Sequence, residues 1–292
     1  TGQRIDGRDL WSGRLSIGWK PFENLQTNLV WEHFSEDDDR MRTAKQLCKN
    51  DPGPASVNGV APPTLGGDNP FTFGINYTSQ GCLPASLYSS ESFQVPNGYS
   101  LSYVAALQFV GRINSNIDPY AETFQSPNLR VIQTAIDPIY KAKNDTVELN
   151  ADYGVTPQLT FTSQTGYSSD FLYSTEDYNR FNTSPGIFLS RDTGSPFETS
   201  VVSPAGVFCD PQLGCADRLV SQDVSDEHAW QLSQEFRLAS KFSGPLNFSI
   251  GGNYMHYETE ENYYVFINAL SIFALSSSPY KYDASYIPGV TD

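Results

Sequence analysis

Between Val147 and Tyr173 the chain alternates apolar and polar residues through two runs joined by a short turn. Val147, Leu149, Ala151, Tyr153 and Val155 are interleaved with Glu148, Asn150, Asp152, Gly154 and Thr156. After Pro157 and Gln158 the pattern resumes, with Leu159, Phe161, Tyr167, Phe171 and Tyr173 opposed by Thr160, Thr162, Gln164, Ser168 and Asp170. A period of two places successive side chains on opposite faces of a strand, so one face meets an apolar medium and the other a wet one. The second run spans about fifteen residues, far beyond the usual globular strand of about five or six. Long two-faced strands with aromatic ends suit a membrane barrel, whose wall faces lipid outside and water inside.

Two more hairpins repeat the design. Trp11, Gly13, Leu15, Ile17 and Trp19 alternate with Ser12, Arg14, Ser16 and Gly18, and the chain returns through Leu25, Thr27, Leu29 and Trp31. Trp230, Leu232, Phe236, Leu238 and Phe242 form the third outward stripe, with Ser243-Gly244-Pro245 as the turn and Leu246, Phe248, Ile250 and Tyr254 beyond it. From Trp230 to Phe242 a strand rises roughly 40 Å at about 3.4 Å per residue. Tilted by about 45°, that is close to 29 Å, near the height of an outer-membrane apolar band with its aromatic girdles. The expected class is all-β: part of a transmembrane antiparallel β-barrel with short periplasmic turns and long extracellular loops. The hairpins are placed at about 10–38, 144–175 and 229–259, and the loops at about 39–143, 176–228 and 260–292. A hundred-residue irregular connection would count against a soluble domain.

Composition excludes other classes. A net charge of −15 and few basic residues leave no surface for nucleic acid, which needs clustered Lys and Arg. The longest apolar run, Val265 to Leu275, is broken by Asn268 and Ser271 and is too short to span a bilayer as a helix. No hydrolase, phosphate-loop or dinucleotide motif is present, and His33, His228 and His256 lie far apart, so neither an enzyme nor a cofactor is expected. The acidic run Glu36 to Asp39 reads either as a solvated loop or as a site for calcium or a lipopolysaccharide-bridging cation. The sequons at Asn76, Asn144, Asn182 and Asn247 are read as chance, Asn247 being placed inside a strand.

All four cysteines fall in the long loops, which suits an oxidising compartment. Pro211 and Gly214 let the chain bend between Cys209 and Cys215, so these two are paired, and Cys48 with Cys82, out of three connectivities. The Cys209 and Cys215 Cα atoms are expected about 4.4–6.8 Å apart. Zinc is the competing reading. It is disfavoured because there is no C-x-x-C and no nearby His.

The segments Asp145–Tyr153, Leu159–Tyr167 and Ser174–Phe181 resemble the barrel of TonB-dependent outer-membrane receptors. Gln234–Ser240, followed by Gly244–Gly252, resembles a strand, Gly-Pro turn and Gly-Gly strand that recur in that family. The resemblance implies active uptake of a scarce ligand such as a ferric siderophore, captured by outer loops and lumen. It also implies partners: outer-membrane lipid and lipopolysaccharide, and an inner-membrane TonB complex acting through a plug domain. No leader, plug or closing strand is recognised, so an interior part of such a barrel is expected. Ligand-facing candidates are the loop aromatics Phe71, Phe73, Tyr77, Tyr88, Tyr103, Tyr178, Phe181, Tyr263 and Tyr264, with Arg112 and Arg180 as cations. The alternative for these rings is that they pack the loops onto one another. A passive porin and a secreted glycan-binding β-sandwich are the other function classes.

Overall fold

In the computed structural model the described residues are 2–61, 79–98, 119–120, 122–178, 181–188, 203 and 205–276. The strands are β1 Leu10–Phe22, β2 Leu25–Asp38, β3 Lys49–Asn50, β4 Cys82–Leu83, β5 Ile139–Thr156, β6 Leu159–Glu176, β7 Phe208–Asp210, β8 Gly214–Ala216, β9 Ser221–Ser240 and β10 Ser249–Ile267. Among the described residues one α-helix, α1, runs Asn268–Ser276. Six of the strands make one sheet in the order β1-β2-β5-β6-β9-β10, so these long strands pair in the order in which they follow one another, with β3–β4 and β7–β8 set aside as separate ribbons. The chain is therefore all-β with a long antiparallel meander. No helix among the described residues is long and apolar enough to cross a membrane.

Alternation becomes facing through the register. Leu15 lies opposite Trp31, which lies opposite Val147, which lies opposite Tyr167. One row nearer the short turns, Ile17, Leu29, Leu149 and Thr165 are aligned in the same way. The apolar stripes thus merge into one surface. Among the described residues no second layer covers it: Leu149 is 45% exposed, Ile17 50% and Trp19 65%. The opposite, polar face is the more covered one, with Val30, Glu36, Thr162 and Ser174 all buried. That inverts the burial of a soluble sheet, whose apolar face is the buried one.

The strands run beyond the alternating segments. β5 starts at Ile139 and β9 at Ser221, both earlier than the pattern marks, and β10 continues to Ile267. Segments such as Ser221-Gln222-Asp223 carry no apolar stripe, so only the ladder of backbone hydrogen bonds identifies them. At the other end two expectations fail. Phe242 and Leu246 lie in the turn rather than on strands, and so does Asn247. Pro245 has no N–H to give to a ladder. Asn247 replaces the missing rung: its Oδ1 accepts from the Phe242 N–H at 2.6 Å and its Nδ2 donates to the Phe242 carbonyl at 3.2 Å.

By contact density the chain forms two units. The first, Thr1–Arg42, Asp137–Glu176 and Val224–Tyr264, holds most of the sheet. The second is Thr43–Ile136, Asp177–Asp223 and Val265–Asp292. It has its own small apolar clusters. Ile187, Phe188, Phe208, Leu219, Ala269 and Ile272 make one, and Cys48, Tyr120 and Phe181 make another. Buried Asn268 opens α1 by accepting from the Val220 N–H at 3.0 Å and donating to the Arg218 carbonyl at 3.0 Å. Disulfides join Cys48 to Cys82 and Cys209 to Cys215. The Cys209 and Cys215 Cα atoms are 3.8 Å apart, closer than the expected range, because the two residues are direct cross-strand partners of β7 and β8.

Candidate functional site

The apolar face of the sheet is a surface with its own chemistry. Aromatic side chains collect toward its two ends, with Ile17, Leu29 and Leu149 in register between them and Trp31 and Tyr167 in the row of Leu15. Near the short turns the Phe161 and Phe236 rings stack at 5.8 Å, and Phe161 lies opposite Tyr153. Toward the other end, His33 sits 4.7 Å from Trp11, His228 5.1 Å from Phe171 and His256 4.8 Å from Trp230. The histidines are thus well inside strands, each against an aromatic ring. Among the described residues no group of three His, Cys, Asp or Glu side chains is placed to hold a metal ion.

Polar groups on this apolar face bond to one another. The Gln234 amide donates to Ser163 Oγ at 3.0 Å, and Thr165 Oγ1 donates to Gln234 Oε1 at 2.6 Å. Thr27 Oγ1 donates to the Trp19 carbonyl at 2.9 Å. Asp145 Oδ1 accepts from the Trp31 indole at 3.2 Å and lies 2.8 Å from His33 Nδ1. Internal pairing of this kind is what a medium without water demands, since an unpaired polar group there costs several kcal/mol.

The polar face is lined by charged groups and amides in register. Asn28, Asn150 and Gln164 lie opposite one another across three strands. Arg14 pairs with Glu32 at 2.9 Å, Thr162 donates to Asp152 at 2.6 Å, and Asn144 donates to Asp170. On β9 and β10 the polar face forms a cleft of about 270 Å³ between Glu235, Arg237, Ser249, Gly251, Gly252 and Asn253.

The acidic run is neither a solvated loop nor an open cation site. Glu36 is buried 3.5 Å from the Arg40 guanidinium, and Asp37 pairs with Lys141 at 3.2 Å. Asp38 accepts from the backbone of Asp9 and Arg40, and Asp39 from that of Gly7. Arg40 in turn lies 3.5 Å above the Tyr140 ring. These carboxylates fasten the chain ahead of β1 and the end of β2. The spacing of the run gave little sign of this, because Lys141, Asp9 and Gly7 are distant in sequence.

Of the candidate ligand-facing residues, Phe71, Phe73, Tyr77, Tyr103, Arg112 and Arg180 lie outside the described residues. Tyr88 stands on a turn after Ser86 and is 95% exposed. Phe181 is buried edge-on against Tyr120 at 6.5 Å, in the cluster beside the Cys48–Cys82 disulfide, so it packs the loop unit instead of facing solute. Tyr178 is half-exposed. Tyr263 and Tyr264 are exposed neighbours on β10 and therefore point to opposite faces of it. They cannot share a site on one face. In the second unit, Lys45 donates to the Val131 carbonyl at 2.6 Å, and burial draws its ammonium below the usual lysine range. Two surfaces therefore carry the functional argument, an uncovered apolar face and a polar face with a cleft. No protein-family model matches the chain, and no curated protein matches it either.

Proposed function

We propose that the sheet is part of the wall of an outer-membrane β-barrel, and that the whole protein is a receptor importing a scarce solute, such as a ferric siderophore, by TonB-dependent uptake. One observation carries the membrane part: the apolar face is uncovered along the sheet while its polar side chains bond to one another. Water would solvate those groups without help, whereas hydrocarbon would not. The aromatic side chains toward the two ends take the interfacial positions, and the polar face lines the lumen. Six strands are too few for a closed barrel, whose smallest examples have eight. β1 and β10 are the outer strands of this sheet, and on this reading each continues onto further strands of the wall.

The receptor part rests on the second unit. A porin needs little beyond short outer loops and a charged constriction. Here the connections carry two disulfides and two apolar clusters, which suits a surface held in shape for capture. The partners on this reading are outer-membrane lipid and lipopolysaccharide, a plug domain and the TonB complex. The test is uptake by cells expressing the full-length receptor, with and without the proton-motive force. Import that collapses when the force is dissipated supports the proposal. Import that continues unchanged supports a passive porin. Recovery of the protein in the soluble periplasmic fraction rejects both.

A further inference from the structure

The cleft on β9 and β10 is built by an omission. Gly251 approaches β9 so closely that a Cβ there would lie 2.5 Å from the Phe236 carbonyl oxygen, and nothing stands within 4 Å of a Cβ on Gly252. Gly251, on the face of the cleft, thus lets the β10 backbone press against β9 where another residue would hold the strands apart, while Gly252 lies on the opposite face. Around that contact, Glu235 and Arg237 on β9 and Ser249, Gly251 and Asn253 on β10 occupy alternate positions and share one face. On the same face Arg14 is matched by Glu32. The charges in the cleft are not matched. Among the described residues, the side chains of Glu235, Arg237, Ser249 and Asn253 have no hydrogen-bond or ion-pair partner in the chain.

Glu235 and Arg237 are two residues apart on one strand, about 7 Å between Cα atoms. A carboxylate and a guanidinium held side by side, each unmatched, complement a ligand carrying both charges. We propose that this cleft binds a small zwitterion of the α-amino-acid type. Its carboxylate takes two parallel N–H bonds from Arg237, the geometry in which arginine exceeds lysine. Its ammonium donates to Glu235, and Ser249 and Asn253 supply neutral donors and acceptors. The cleft is open to solvent on one side, which leaves room for a side chain on the ligand. A simple anion would leave Glu235 unmatched and repelled, and a simple cation would do the same to Arg237. The proposal depends on this hairpin and not on the membrane reading.

The test is calorimetric titration of the full chain, held in detergent, with glycine, acetate and methylammonium as separate probes. Glycine should bind at least tenfold more tightly than either half-ligand. Arg237→Gln and Glu235→Gln should each weaken glycine binding tenfold or more. Lys20→Gln, a charge change on the same face of a distant strand, should leave it unchanged. Far-ultraviolet circular dichroism confirms that each variant keeps its sheet, and Glu235→Gln decides alone if Arg237→Gln does not fold. Absence of glycine binding at millimolar concentration, acetate binding equal to glycine, or indifference to both substitutions would each overturn the assignment.

Discussion

Gly154 and Asn24 grip each other across two hairpins: the Gly154 N–H donates to the Asn24 carbonyl at 2.7 Å, and Asn24 Nδ2 donates to the Gly154 carbonyl at 3.1 Å. A Cβ on Gly154 would lie 3.5 Å from the Asn24 side chain. The β1–β2 turn is thereby tied to β5, and the Lys241 N–H repeats the device with the Gln158 carbonyl at 2.7 Å. Asn24→Ala should lower stability by about 1 kcal/mol, the net value of one hydrogen bond. Equilibrium urea unfolding followed by circular dichroism measures it, and an unchanged midpoint would show that the backbone bond suffices.

Leu149→Arg places a charge in the middle of the apolar face. In a bilayer it should cost about 2–4 kcal/mol, while Glu148→Gln, one residue along on the polar face, should cost far less. Unfolding in lipid vesicles compares the two. Equal costs would mean that the two faces see the same medium.

Phe181 and Tyr88 separate packing from display. Phe181→Ala removes a buried ring beside Tyr120 and Cys48 and should cost about 3–5 kcal/mol. Tyr88→Ala, at 95% exposure, should stay within about 0.5 kcal/mol. The reverse ranking in thermal unfolding would place Phe181 outside the core of its unit.

The thiols give a chemical check. Labelling under denaturing, non-reducing conditions should find no free cysteine. Replacing Cys48 and Cys82 by Ser opens a closed loop of 34 residues and should cost about 4 kcal/mol in the chain-entropy account. For Cys209 and Cys215, six residues apart, about 2 kcal/mol is expected. Stoichiometric labelling of all four would indicate a reducing compartment and a different class of protein.

What was legible in the sequence was the part with two unlike faces. Val147 to Tyr173 reads as a hairpin because apolar and polar residues alternate residue by residue. Where both sides are polar, as at Ser221 to Glu227, no alternation arises and the strand is invisible until its partner is known. The strands β3, β4, β7 and β8 are two or three residues long, below any detectable period. α1 lies in the apolar run from Val265 to Leu275, where composition did not separate helix from loop. The cleft escaped for another reason. Its signal was two glycines and two opposite charges within one motif, and only the pairing of β9 with β10 brings them together.

The chain-order pairing of the long strands bears on how such a surface can diversify. The six long strands pair in the order in which they follow one another, so β2 and β5 can zip together whatever lies between them in the chain. Closing a loop costs free energy that grows only with the logarithm of its length, about 0.6 kcal/mol for each doubling. The segment from β2 to β5 can therefore lengthen, fold on its own and acquire a disulfide such as Cys48–Cys82 at almost no expense to the sheet. A sheet wired this way lets its connecting segments change in length and sequence over generations while the strands themselves stay constant.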